Sequence, residues 1–282
     1  MKLHFQGKRG KVESDARFEF GKNWSRYLSV LNDDRIAAAE DSLKEIFDVN
    51  TLEGKTFLDI GSGSGLFSLA AMRLGAAKVH SFDYDPESVA CTKKLKRIYF
   101  KDAHSWSIEE GSVLDRNYLS KLGGWDVVYS YGVLHHTGAM WQALENIVPL
   151  VKRGGKLYIA IYNKQRFMTP VWTKIKKSYV KGNSITRFWL LVIFISYFVL
   201  RGVIVDMIRM RNPLLRYKEK KFQRGMSMFY DYIDWIGGYP FETARPEEIF
   251  VFYRKRGFIL EKLTTYYGGF GNNEYLFSQN AD

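Results

Sequence analysis

Through the first 162 residues, short apolar runs alternate with stretches whose apolar positions recur every three or four residues. The runs at 56–60, 78–82, 106–110, 125–130 and 156–162 have the length of buried strands. Between them lie helical patterns. Asn32 is a good N-cap, with Asp33 and Asp34 placed to suit the helix dipole, and Ile36, Ala39, Leu43, Ile46 and Phe47 follow on one face. Helices are predicted over 66–74, stopped by Gly75, over 86–99, with Pro86 in the first turn, and over 141–151, ended by Gly154-Gly155. Strands and helices alternating at this spacing predict a doubly wound α/β sheet of parallel strands.

The alternation breaks near Asn163 and returns near Ala244. Residues 246–257 read as a short amphipathic helix, and 258–266 and 273–278 as two strands joined by a glycine-rich turn. Three parts follow: an N-terminal segment, 1–31; a sheet domain, 32–163 and 244–282; and a mostly helical insertion, 164–243.

The insertion carries the chain's charge imbalance. The whole sequence is +12, and residues 174–224 alone hold 13 Lys and Arg against Asp206 and Glu219. They surround Phe188–Leu200, 13 residues without a charge; continuing to Ile208 includes Arg201 and Asp206. A single crossing of a bilayer is excluded if the flanking strands share one sheet, because it would split that sheet across the membrane. The segment is expected to lie on an anionic membrane surface or to pack as a cap or homodimer element. Nucleic acid is disfavoured, since the bases flank an apolar run instead of interleaving with aromatics on a polar face. One cysteine, Cys91, excludes an internal disulfide and suits a reducing compartment. Residues 1–17 are polar and basic, without the apolar core of a secretory signal, so a cytoplasmic protein is expected, peripheral on the inner face of a membrane if it binds one.

The chemistry is written in Asp59-Ile-Gly-Ser-Gly-Ser-Gly65. A dinucleotide fingerprint needs a glycine at the sixth loop position, which here is Leu66, and Asp59 two residues before the first glycine repels phosphate and suits an ammonium group. The second strand ends in an acid, Asp83, able to accept from both hydroxyls of a ribose, with Asp85 competing for that role.

These motifs resemble those of class I S-adenosylmethionine-dependent methyltransferases, with Tyr129-Ser-Tyr-Gly-Val-Leu-His-His136 most similar to the ubiquinone-biosynthesis-like small-molecule O-methyltransferases. The resemblance implies a Rossmann-like sheet, S-adenosylmethionine as cofactor and S-adenosylhomocysteine as product. It places Asp59, Gly61, Ser62, Gly63 and Gly65 at the methionine end, Asp83 and Tyr84 at the ribose, Ser112 and Val113 at the adenine, and Ser130 and Tyr131 along the cofactor. Many members carry an acid where Ser112 stands, leaving Asp115 as an alternative. Trp24 and Arg35 are expected to close over the cofactor, Arg35 pairing with its carboxylate. His135 and His136 are the general-base candidates, because imidazole titrates near neutrality, and Tyr239 is the acceptor-side candidate from the insertion. Two adjacent histidines without further ligands predict no metal. The acceptor is expected to be a small amphiphilic, lipid-type or glycan-type molecule. The competing readings are a nucleic-acid methyltransferase and a non-catalytic membrane-associated module that retains a nucleoside fold.

Overall fold

The computed structural model describes residues 17–18, 20–212, 233, 235–265 and 271–280. Seven strands form one sheet in the order β3-β2-β1-β4-β5-β7-β6. They are β1 (Thr56–Ile60), β2 (Lys78–Asp83), β3 (Trp106–Glu110), β4 (Trp125–Tyr131), β5 (Val151–Tyr162), β6 (Phe258–Thr264) and β7 (Asn272–Gln279). The first five pair in parallel, and β7 enters antiparallel between β5 and β6. This is the doubly wound, Rossmann-like sheet that the alternation predicts.

Helices α1 (Phe20–Tyr27), α2 (Asp33–Phe47), α3 (Leu66–Arg73), α4 (Pro86–Tyr99), α5 (Arg116–Ser120) and α6 (Met140–Asn146) accompany β1–β5. Asn32 caps α2 by accepting from the Arg35 N–H at 3.1 Å. Strand alternation sends side chains into two cores: Leu58 and Ile60 of β1 face one, Phe57 the other. The helix predicted to run to residue 151 ends at Asn146. Pro149 forces a short 3-10 turn, and β5 starts five residues earlier than expected, with Val151 paired to Trp125 across a register shift.

Two helices of the inserted stretch, α7 (Met168–Lys181) and α8 (Ser184–Ile208), follow β5, and α9 (Pro246–Arg254) leads into β6. Asn163 and Ala244, at the two ends of the insertion, bridge to each other. Arg187 of α8 donates to the Tyr179 and Val180 carbonyls and staples the two helices. The turn at 266–270, the bases Arg216, Lys218, Lys220, Lys221 and Arg224, and most of 230–234 lie outside the described residues.

Candidate functional site

The carboxyl ends of β1, β2, β4 and β5 open into one cavity of about 1470 Å³. Gly61 and Gly63 form its floor, Asp83 and Tyr84 one wall, and Ser112 and Val113 the wall beyond β3. Tyr131, Gly132, Val133 and His136 come from the exit of β4; Phe20 and Trp24 cover it from α1; Trp235 and Tyr239 close it from the insertion.

The loop after β1 needs its glycines. Gly61 has φ +75°, and a Cβ there would sit 2.4 Å from Val133 Cγ2. Gly63 has φ +53°, and a Cβ would sit 2.9 Å from the Trp24 indole. The bare backbone thus forms a slot roofed by Trp24. The Gly63 N–H donates to Asp83 Oδ2 at 2.9 Å, and the Asp85 N–H donates to Oδ1 at 2.9 Å. Each oxygen keeps a lone pair for a ligand hydroxyl. Burial, outweighing those two bonds, raises the Asp83 carboxyl to about 6. Asp85, the competing acid, is committed elsewhere: its oxygens accept from the Gly21 and Glu87 N–H groups, tying α1 to the start of α4.

Several residues expected at the ligand lie away from the cavity wall. Asp59 turns into the core, where Ser68 Oγ donates to its Oδ2 at 2.5 Å, Ser68 meets Ser81 Oγ at 2.7 Å, and Trp106 Nε1 donates to Ser81 at 2.9 Å. Burial drives the Asp59 carboxyl up to about 7. The acid therefore braces the loop from beneath α3. Ser62 is buried against Thr92 Oγ1, and Gly65 packs on the Thr92 backbone. Ser130 Oγ donates to the Ile60 carbonyl. Arg35 is buried with its guanidinium 5.5 Å from the centre of the Tyr27 ring, and does not line the cavity. Asp115 caps α5 through the Asn117 and Tyr118 N–H groups, whereas Ser112 does line the cavity.

The adjacent histidines differ sharply. His135 is fully buried, its ring centre 4.0 Å from that of Tyr162 and the Tyr162 N–H 3.4 Å from Nδ1. It shapes the turn and is removed as a base candidate. His136 lines the cavity, and its Nδ1 lies 2.7 Å from the Pro240 carbonyl. A carbonyl only accepts, so Nδ1 carries the proton and Nε2 holds the lone pair. Burial, then the nearby Lys176 charge, lowers His136 to about 3, so the ring is neutral at physiological pH. Lys176, from α7, is itself buried, with Nζ 4.5 Å from the centre of the Trp235 ring and 4.8 Å from that of Phe241.

Phe20 and Glu274 are cavity residues that no local motif marks. Glu274, from β7, accepts from Tyr158 at 2.6 Å. Among the described residues no cluster of His, Cys, Asp or Glu could hold a metal ion.

The geometry fits a nucleoside carrying a cationic chain: a glycine floor, a cavity-facing carboxylate and an aromatic roof in a cavity with room left for a second molecule. The family model described as a methyltransferase domain matches residues 58–157. Ribosomal protein L11 methyltransferase of Anoxybacillus flavithermus (strain DSM 21510 / WK1) is 29% identical over 121 residues, 37% of this chain and 38% of that protein. The chain thus spans well under half the length of the curated relatives it matches first. Magnesium protoporphyrin IX methyltransferase from Synechocystis PCC 6803, solved with bound SAH, superposes with a TM-score of 0.53 at 13% identity, covering 92% of this chain and 94% of that one. The [4+2]-cyclase SpnF superposes with a TM-score of 0.52 at 12% identity, covering 86% of this chain and 80% of that one. The two superpositions establish the fold, and their differing names show that the fold alone does not fix the reaction.

Proposed function

We infer that this chain, whose residues 58–157 match a methyltransferase domain, transfers a methyl group from S-adenosylmethionine to an oxygen of a small amphiphilic, lipid-type or glycan-type acceptor. The observation that carries this reading is the juxtaposition, in one cavity, of the Gly61–Gly63 and Asp83 cradle with His136, held by Pro240 in the tautomer that leaves the Nε2 lone pair unprotonated.

When bound, the cofactor supplies a methyl group on a cationic sulfur. Asp83 holds the ribose, Gly61 and Gly63 let the backbone approach the methionine end, Trp24 excludes water above it, and Ser112 and Val113 flank the adenine. Tyr131 and Tyr239 confine the acceptor from the β4 exit and from the insertion. The acceptor oxygen forms the new O–C bond as the S–C bond breaks, and His136 Nε2 takes the hydroxyl proton. Alignment and exclusion of water supply most of the acceleration, because the leaving group is already good.

Among the described residues the cavity wall carries Asp41, Glu45, Asp83, Asp85, Glu87 and Glu274 against Arg17 and Lys262. That balance suits a cationic cofactor and disfavours a phosphate-backboned acceptor. A protein acceptor is the reading suggested by the name of the L11 relative, but that likeness spans only 38% of the relative.

Incubation with methyl-labelled S-adenosylmethionine and a lysate of the source cells, followed by fractionation, tests the reading. Label in the organic fraction, lost in His136→Ala, supports it. Label confined to protein or nucleic acid keeps the methyltransferase and overturns the acceptor.

A further inference from the structure

The cavity leaves α8 unexplained. The helix is 25 residues long, about 37 Å at 1.5 Å per residue. Its most apolar 18-residue window has a mean hydropathy of 2.3, yet only 6% of that window is buried. A core helix of this composition would be mostly buried.

One side of α8 is occupied. Phe194 and Phe198 pack on Trp172 of α7, with ring centres 5.2 and 6.5 Å apart, and Gly202 and Asp206 are buried on the same side. At about 100° per residue, Trp189, Ile193, Leu200, Ile204 and Met207 fall on the opposite side, and all are exposed. These five fall within about 60° of arc, and the three charged residues of the helix, Arg187, Arg201 and Asp206, lie outside it.

We propose that α8 lies in the surface of an anionic lipid bilayer, parallel to its plane, with this arc in the boundary between headgroups and acyl chains. Resting on the methyltransferase reading, the acceptor is then an amphiphile that enters the cavity from that surface.

Topology fixes the orientation. The strand before the insertion, β5, pairs directly with β7 beyond it. A chain that crossed the bilayer through α8 would have to cross back before residue 244. The returning sequence holds Arg209, Arg211, Arg216, Lys218, Lys220, Lys221 and Arg224 and no apolar run of spanning length. A crossing is thus unavailable, and a surface position satisfies both the apolar arc and the sheet. Charge complementarity selects lipid over a second copy of the chain. Residues 174–224 hold 13 Lys and Arg against two acids, and Lys174, Lys177 and Lys181 of α7 and Arg209 and Arg211 beyond α8 are exposed; acidic headgroups attract such a segment and a second copy of it repels it. Buried Lys176 takes no part. Trp235 joins the inner side of α8 to the site: its ring centre is 5.2 Å from that of Phe198, and it lines the cavity.

Flotation of the full chain, saturated with S-adenosylhomocysteine, tests this on vesicles of neutral phospholipid and on vesicles of three parts neutral to one part anionic phospholipid. The expected result is that the protein floats with the anionic vesicles, and that a Trp189→Glu, Leu200→Glu double variant floats at least tenfold less while keeping its melting temperature and its S-adenosylhomocysteine affinity. Wild-type protein remaining in solution with both vesicle types overturns the proposal, as does equal flotation of the double variant. A wild-type dimer that the double variant converts to a monomer, with neither floating, assigns the face to a second copy instead. Failure of the wild type to bind S-adenosylhomocysteine counts against the methyltransferase reading and leaves the vesicle result to stand on its own.

Discussion

The Gly63 N–H donates to Asp83 Oδ2 at 2.9 Å, which makes the glycine loop after β1 and the acid closing β2 a single unit. The cavity-facing carboxylate and the floor of the cavity are therefore tied together. Asp83 must be ionised to accept from two ribose hydroxyls, and burial has raised it to about 6. S-adenosylhomocysteine affinity should be flat above pH 7 and should weaken below about 6, approaching tenfold per pH unit. Calorimetric titrations from pH 5 to 8 check this; an affinity unchanged at pH 5 would remove Asp83 from the ribose.

Asp59 gives the corresponding prediction for stability. Its folded value, about 7, lies above the ordinary 3.8, so the folded protein binds the proton more tightly than the unfolded chain. The stabilisation is complete below about pH 4 and is lost as pH rises through 7. Asp59→Asn keeps an oxygen for Ser68 but cannot ionise. Its unfolding free energy should vary less between pH 5 and 8 than that of the wild type, and its cofactor affinity should stay within about threefold, a change worth under 1 kcal/mol. Denaturant titrations read the first. A loss of affinity beyond tenfold would return Asp59 to the ligand.

Gly61 has a steric partner as well as a backbone requirement. In Gly61→Ala the new methyl meets both methyls of Val133, at 2.4 and 2.5 Å, on a backbone with φ +75°. The substitution should cost about 1–3 kcal/mol of stability and abolish cofactor binding. Adding Val133→Ala opens the space but leaves the φ strain, so stability should return only in part. A double-mutant cycle with zero coupling would show that contact with Val133 is not what excludes a side chain.

His136 is predicted to act on the acceptor and leave the cofactor alone. His136→Ala should lower kcat about 10²–10⁴-fold with S-adenosylhomocysteine affinity unchanged. Because the wild-type ring stays neutral down to about pH 3, kcat at saturating cofactor should show no fall between pH 8 and 5 from its protonation. A titration near 6.5 in kcat would mean an ordinary, solvated imidazole and contradict the lowered value.

Much of this architecture was legible because strand length, glycine stops and caps such as Asn32 act locally. Helix α5 was not, since five residues carry too little periodicity to stand out. Within the site, Asp83, Gly61, Gly63, Trp24, Tyr131 and His136 stand at strand ends, in loops or in the covering helix, and the sequence order reveals them. The misplaced residues follow from which way a side chain points. Asp59 is two positions from Phe57, hence on the same face of β1, under α3; a parallel sheet is covered on both faces, and its ligands sit at the strand ends. Arg35 stands four residues before Ala39 and eight before Leu43, on the buried stripe of α2. Phe20 and Glu274 reach the cavity only through tertiary packing, which no local pattern encodes.

The most direct test of a nucleoside cofactor held by this cavity is calorimetric titration of S-adenosylhomocysteine into the wild type and into Asp83→Ala at pH 7.5. Saturable one-to-one binding by the wild type, weakened about 10²-fold by removing two charge-assisted hydrogen bonds, is the predicted result. No binding by the wild type, or binding indifferent to Asp83→Ala, would contradict it.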